Sequence, residues 1–167
     1  MKNRVPQTIL FGFIILMIFI TACAKNDSET KNNNTSQEES VKFVVVGGSG
    51  TILTSSDSNT WISENSGTSN LLSDVIYENG TLITIGGVFV DNVSTVLKSS
   101  NGKTWTSITT GTTKILYDVA YGINKYISTG SYGEVITSSD GSSWTLRSSG
   151  TTNQLHGIEY GLSLIHI

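Results

Sequence analysis

The chain has 167 residues and a formal charge of −3, and only 14% of its residues are charged. That length suits one domain, and no cluster of lysine and arginine is present to grip phosphates, which excludes a nucleic-acid-binding surface. A lone cysteine, Cys23, excludes an intramolecular disulfide.

The N-terminus reads as an export signal. Lys2 and Arg4 precede an apolar run from Ile9 to Ile20, followed by small residues. That run is shorter than the roughly 20 residues a bilayer-spanning helix needs. Ile20-Thr21-Ala22-Cys23 resembles the lipobox of bacterial lipoproteins. The resemblance implies a signal peptide over 1–22, acylation of Cys23, and a mature chain held in the bacterial cell envelope. Residues 24–40 are polar apart from Ala24, so nothing favours their ordering. With Cys23 they form a tether over 23–40, spanning on the order of 20–25 Å as a flexible coil. From Cys23 onward the chain carries eight basic and thirteen acidic side chains, a net −5.

The rest is built on one phrase used three times. Ser-Ser-Asp-Ser-Asn-Thr-Trp ends at Trp61, Ser-Ser-Asn-Gly-Lys-Thr-Trp at Trp105, and Ser-Ser-Asp-Gly-Ser-Ser-Trp at Trp144. Six residues after each Trp stands a Gly (Gly67, Gly111, Gly150), and ten further on a Tyr (Tyr77, Tyr121, Tyr160). Three landmarks in register define a tandem repeat of a size used by propellers and solenoids. The spacing between tryptophans is 44 and then 39 residues; the extra five fall at Val88–Val93, where a loop is expected to absorb them.

Within the third copy, 116–121, 125–129, 134–138 and 144–147 are short apolar or β-branched runs parted by Gly, Asn, Asp and Ser. That pattern predicts four antiparallel strands. Four strands in about forty residues make one propeller blade; a β-solenoid fits less well. Asp140-Gly141 and Asn101-Gly102 are tight-turn signals, because Gly accepts positive φ and the Asx side chain binds nearby N–H groups. Asp57-Ser58 lacks the Gly, so that turn is expected to differ or to carry strain. Each Trp and each Tyr is expected to pack against neighbouring strands. The first copy opens with a second-type strand over 42–46, and 155–160 reads as a first-type strand that could complete that blade.

These residues carry a family resemblance. Ser-x-Asp-Gly-x-x-Trp resembles the Asp-box, or BNR, repeat of sialidase-like propellers, with Asp57, Trp61, Asn101, Gly102, Trp105, Asp140, Gly141 and Trp144 as its structural turns. The turn is one residue shorter than in sialidases, which favours non-enzymatic relatives. The resemblance spans 41–161 and implies an all-β β-propeller fragment of about three four-stranded antiparallel blades. Residues 162–167, Leu-Ser-Leu-Ile-His-Ile, match an in-frame translation of a sequencing adapter. The expectation is that the natural chain continues beyond Gly161.

Little in the sequence points to catalysis. Sialidases use three arginines on the sugar carboxylate, whereas Arg147 is the one arginine after Cys23. Gly47-Gly48-Ser49-Gly50 lacks the Lys and the helix of a phosphate loop and reads as a turn. His156 stands alone, and no metal or cofactor is expected. Asp74 and Asp118 occupy equivalent places in first-type strands, facing either a ligand or neighbouring backbone N–H groups. Phe89 in the insertion is either an exposed contact residue or a cover for the adjacent blade. The expected function is a lipid-anchored, non-catalytic cell-surface propeller binding a protein or glycan. A sialidase-type glycoside hydrolase and a propeller resembling the photosystem II stability and assembly factors are the alternatives.

Overall fold

The computed structural model of the chain describes residues 40–91 and 93–161. The expected signal peptide, Cys23, the tether as far as residue 39 and residues 162–167 lie outside the described residues. What is described is all-β, in three antiparallel sheets. The first sheet holds β1 (Phe43–Val46), β2 (Ile52–Ser55) and β3 (Ile62–Glu64). The second holds β4 (Leu71–Glu78), β5 (Thr81–Val88), β6 (Val93–Ser99) and β7 (Thr106–Ser107). The third holds β8 (Leu116–Gly122), β9 (Lys125–Gly130), β10 (Val135–Ser138) and β11 (Thr145–Arg147). Every strand pairs with its sequence neighbour. The three copies share one register: Phe43 faces Ser55, Leu82 faces Ser99 and Tyr126 faces Ser138.

The core lies between sheets. Ile52, Leu72 and Leu97 join the first sheet to the second, with Val44, Val46 and Trp105 packed against them. Ile83, Ile85 and Val96 meet Leu116, Val119, Tyr126 and Ile136 between the second and third, closed over by Tyr121 and Trp144. Trp105 and Trp144 therefore do the packing expected of them. Trp61 is 40% exposed, and Tyr77 is 65% exposed. Trp61 belongs to the first sheet, which has no sheet on its outer side among the described residues, and Tyr77, in β4, lines a cavity with Val41 and Val44.

Two expectations need correcting, and a third is met in one of its two forms. The insertion is not a free loop: it lengthens β5 and β6, with Val88 paired to Val93, and leaves Phe89 and Asp91 at the tip. Residues 155–160 form no strand and join no ladder among the described residues. The Asp57 turn, expected to differ or to carry strain, keeps the path of the other two and carries the strain. Ser58 takes a φ of 67°, beside 75° for Gly102 and 68° for Gly141. The strain is borne by a serine held where an L side chain crowds its own carbonyl.

One hydrogen-bond pattern makes the three turns alike. Ser55 Oγ accepts the N–H of Ser58 at 2.9 Å, and Asp57 Oδ1 accepts those of Asn59 and Thr60 at 2.8 Å each. Ser99 and Asn101 do the same for Gly102, Lys103 and Thr104, all at 2.9 Å. Ser138 and Asp140 do so for Gly141 (2.9 Å) and for Ser142 and Ser143 (2.8 Å each). The turn glycine then returns a carbonyl to the indole: Trp105 Nε1 donates to Gly102 at 2.8 Å and Trp144 Nε1 to Gly141 at 3.3 Å. The serine two places before the Asx is thus as much a part of the turn as the Asx itself.

Ser58→Gly should raise stability by about 0.5–1 kcal/mol, since glycine occupies the left-handed region without steric cost. Gly141→Ala should lower it by more than about 1 kcal/mol, because its Cβ would also stand 2.6 Å from Ile83 Cδ1. Urea denaturation of both variants checks the pair.

The turn also sets an acid limit. The N–H of Thr60, then that of Asn59, lower the Asp57 carboxyl from 3.8 to about 2; those of Ser143 and Ser142 do the same for Asp140. A carboxyl whose pKa falls on folding adds stability that is complete above its ordinary value and is lost as pH falls through the folded one. The melting temperature should therefore drop between about pH 4 and pH 2. In Asp57→Asn/Asp140→Asn, which copies the amide already used at Asn101, that part of the drop should vanish.

Candidate binding site

β4 and β8 lead their sheets, and both are bulged at the same point. The register against the next strand slips between Leu72 and Asp74 and between Leu116 and Asp118. A bulge leaves one residue without a ladder partner and re-aims its side chain. Here that residue is Ser73 in β4 and Tyr117 in β8, each just before an aspartate.

The aspartates engage backbone N–H groups. Asp74 Oδ1 accepts the N–H of Val75 at 2.7 Å, and its Oδ2 accepts that of Val119, in the next sheet, at 2.9 Å. Asp118 Oδ1 accepts the same Val119 N–H at 2.9 Å, and its Oδ2 reaches on to Ile158 N–H at 2.7 Å. Each carboxylate thus ties its own strand to the one that follows. Gly157 stands at the third equivalent place, where there is no carboxylate to continue the series. Two acids sharing one donor stand close together. Burial, followed by the adjoining Asp118 carboxyl, holds the Asp74 carboxyl above its ordinary range.

Around the bulge at Tyr117 lies a row of rings. Tyr117 stacks on His156 with centroids 4.7 Å apart and 22° between planes. Phe89, from the β5–β6 tip, stands 6.4 Å from the Tyr117 ring, tilted by 39°. The insertion therefore has a structural destination: it brings Phe89 to the leading strand of the third sheet. Nearby in sequence, Lys114 Nζ sits 4.6 Å from the centroid of Tyr132. Tyr132 is exposed and has φ 58°, a left-handed conformation that a bulky side chain rarely adopts. A strained, exposed aromatic next to a polar cation is the kind of outlier from which a functional hypothesis starts.

Of the residues that sequence singled out, Asp74 and Asp118 meet each other and Phe89 meets Tyr117. The Asx turns lie apart from both groups as structural elements. Tyr117, Tyr132 and His156 were not singled out as site residues. Their only signal was place in the repeat: Tyr117 and His156 follow the equivalent Leu116 and Leu155, and Tyr132 occupies the turn position of Ser49. Among the described residues, no group of three or more His, Cys, Asp or Glu side chains is placed to hold a metal ion. Compared with known protein families and with curated proteins, the chain gives no match.

A carboxyl whose pKa is raised on folding costs stability once it ionises, so the cost is absent at low pH and grows as pH rises above 3.8. Asp74→Asn keeps an acceptor oxygen for Val119 N–H and removes that cost. At pH 7 its urea midpoint should exceed that of the wild type, and the gap should close below about pH 3.5, where the carboxyl is protonated folded or unfolded. An unchanged gap across that range would show that folding does not raise the Asp74 carboxyl.

Proposed function

We propose that the chain is a lipid-anchored, non-catalytic binding module of Asp-box β-propeller type at the bacterial cell surface, and that it takes a glycan at the aromatic row. The observation that carries the glycan half is the set of rings Phe89, Tyr117 and His156, with Tyr132 alongside Lys114. Aromatic rings are broad, stiff contact surfaces with little rotamer entropy to lose, and they suit the apolar faces of sugar rings. Tyr117 sits on a paired strand, Phe89 at a hairpin tip and Tyr132 in a tight turn, so little ordering of these three is needed on binding. The propeller reading is supported by three meandering sheets in series, each packing its face on the next. The anchor reading is supported by Ile20-Thr21-Ala22-Cys23 and by the polar tether after it.

Two experiments test this. Cys23→Ser should abolish labelling by radioactive palmitate and move the protein from the membrane fraction to the soluble one; retention of both label and membrane association would sink the anchor. On a panel of immobilised bacterial and host glycans, Phe89→Ala/Tyr132→Ala should weaken binding at least tenfold, or about 1.4 kcal/mol, with the thermal midpoint little changed. Equal binding by the variant would move the site elsewhere. Release of free sugar from the panel would favour the glycoside hydrolase instead.

A further inference from the structure

The first sheet lacks what the other two possess. β5 and β9 each have a leading strand, β4 or β8, on one side; β1 is an edge strand. Its outer face is open as well. Phe43 is 47% and Val45 44% exposed, pointing opposite to Val44 and Val46, which pack toward the second sheet, whereas the equivalent Leu82 and Thr84 are at 8% and 0%, and Tyr126 and Ser128 at 3% and 0%, each with a sheet before its own. A cavity of about 570 Å³ lies along this edge, lined by Val41, Val44, Val75, Tyr77 and Leu82 among others. A leading strand would fill it.

The other end of the array offers such a strand. Residues 155–160 are already docked as a leading strand docks. Leu155 N–H donates to Gly130 O at 3.0 Å, as Leu72 N–H does to Gly47 O at 3.0 Å. Ile158 N–H meets Asp118 as Val119 N–H meets Asp74. The Tyr160 ring lies against Gly122, where a Cβ would come within 2.2 Å of it. Yet this segment has no ladder partner among the described residues. An unpaired edge invites another strand, and strand addition is a common mode of association.

We infer that β1 pairs with residues 155–160 of a second copy of this chain. The inference rests on reading the sheets as consecutive blades, so that the segment leads a blade whose other strands are β1, β2 and β3. The register follows from the two complete copies, in which Leu116 faces Gly130, Asp118 faces Thr129 and Val119 faces Ser128. Leu155 then faces Gly47, Gly157 faces Val46, Ile158 faces Val45, Glu159 faces Val44 and Tyr160 faces Phe43, with His156 in the bulge. The open edge has the right donors. Gly47 N–H bonds Thr51 O, so by alternation along β1 the N–H groups of Val44 and Val46 point away from β2.

Disulfide trapping reads this directly. Val45 and Ile158 form a pair that exchanges no hydrogen bonds, the kind whose side chains stand closest. Full-length chains carrying different epitope tags, one with Val45→Cys and the other with Ile158→Cys, are co-expressed, oxidised and run without reductant. A band bearing both tags is expected, and neither variant alone should give it through Cys23. Placing both substitutions in one chain distinguishes the alternative: a cross-linked monomer without dimer would mean the chain closes on itself and would overturn the second copy. Native Trp emission with no cross-link of either kind would overturn the pairing while leaving the blade reading intact. Should a cysteine variant lose native emission, a peptide of residues 153–161 is added to the wild-type chain. It should slow amide exchange at Val44 and Val46, and unaltered exchange would overturn the proposal.

Discussion

An oxygen that gathers consecutive backbone N–H groups is the constraint on which the described structure depends. In each copy a serine hydroxyl and an Asx oxygen together take four N–H groups of a turn that would otherwise have to be satisfied by water. The turn so fixed delivers the tryptophan to the start of the last strand and lends the indole a carbonyl. In the second and third copies that indole closes the seam between two sheets. Turn, tryptophan and seam form one chain of dependence, and its length in residues is fixed. This is why the landmarks recur in register whereas the hairpin tips do not.

The substitution of serine for glycine at residue 58 shows how strong the constraint is. A local steric cost of roughly 1–2 kcal/mol did not change the turn. The hydrogen bonds from Ser55 and Asp57, and the docking of the strands on either side, outweigh it. Asn101 makes the complementary point, since an amide oxygen serves as well as a carboxylate. Geometry of the acceptor matters there, and charge does not.

Much of this was legible in the residues. Strand positions came within a residue or two, because period-two alternation and turn residues alternate cleanly in the third copy. The extended β5–β6 hairpin was not, since Val88, Phe89 and Val90 carry no turn signal and their pairing with Val93 depends on a continuing ladder. Residues 155–160 have the composition of a strand but no partner beside them, and composition alone cannot supply one. The aspartates were found by their equivalence, although their bridging between sheets needed coordinates. The aromatic row was hidden for a different reason: Phe89, Tyr117 and His156 belong to three different segments and meet only through the packing of one sheet on the next.

The bulge in the leading strands has a consequence of its own. It frees one residue in β4 and one in β8 from ladder pairing, while the leucine before it, Leu72 or Leu116, serves the seam. The freed residue is Ser73 in β4 and Tyr117 in β8; His156 stands at the equivalent place in residues 155–160, which join no ladder among the described residues. A hydroxyl and a phenol occupy corresponding posts on the same bulged backbone. The scaffold thus works as a typeface tray: each bulged strand has one slot in which the letter can be changed, and changing it rewrites the chemistry of that face without redrawing the page.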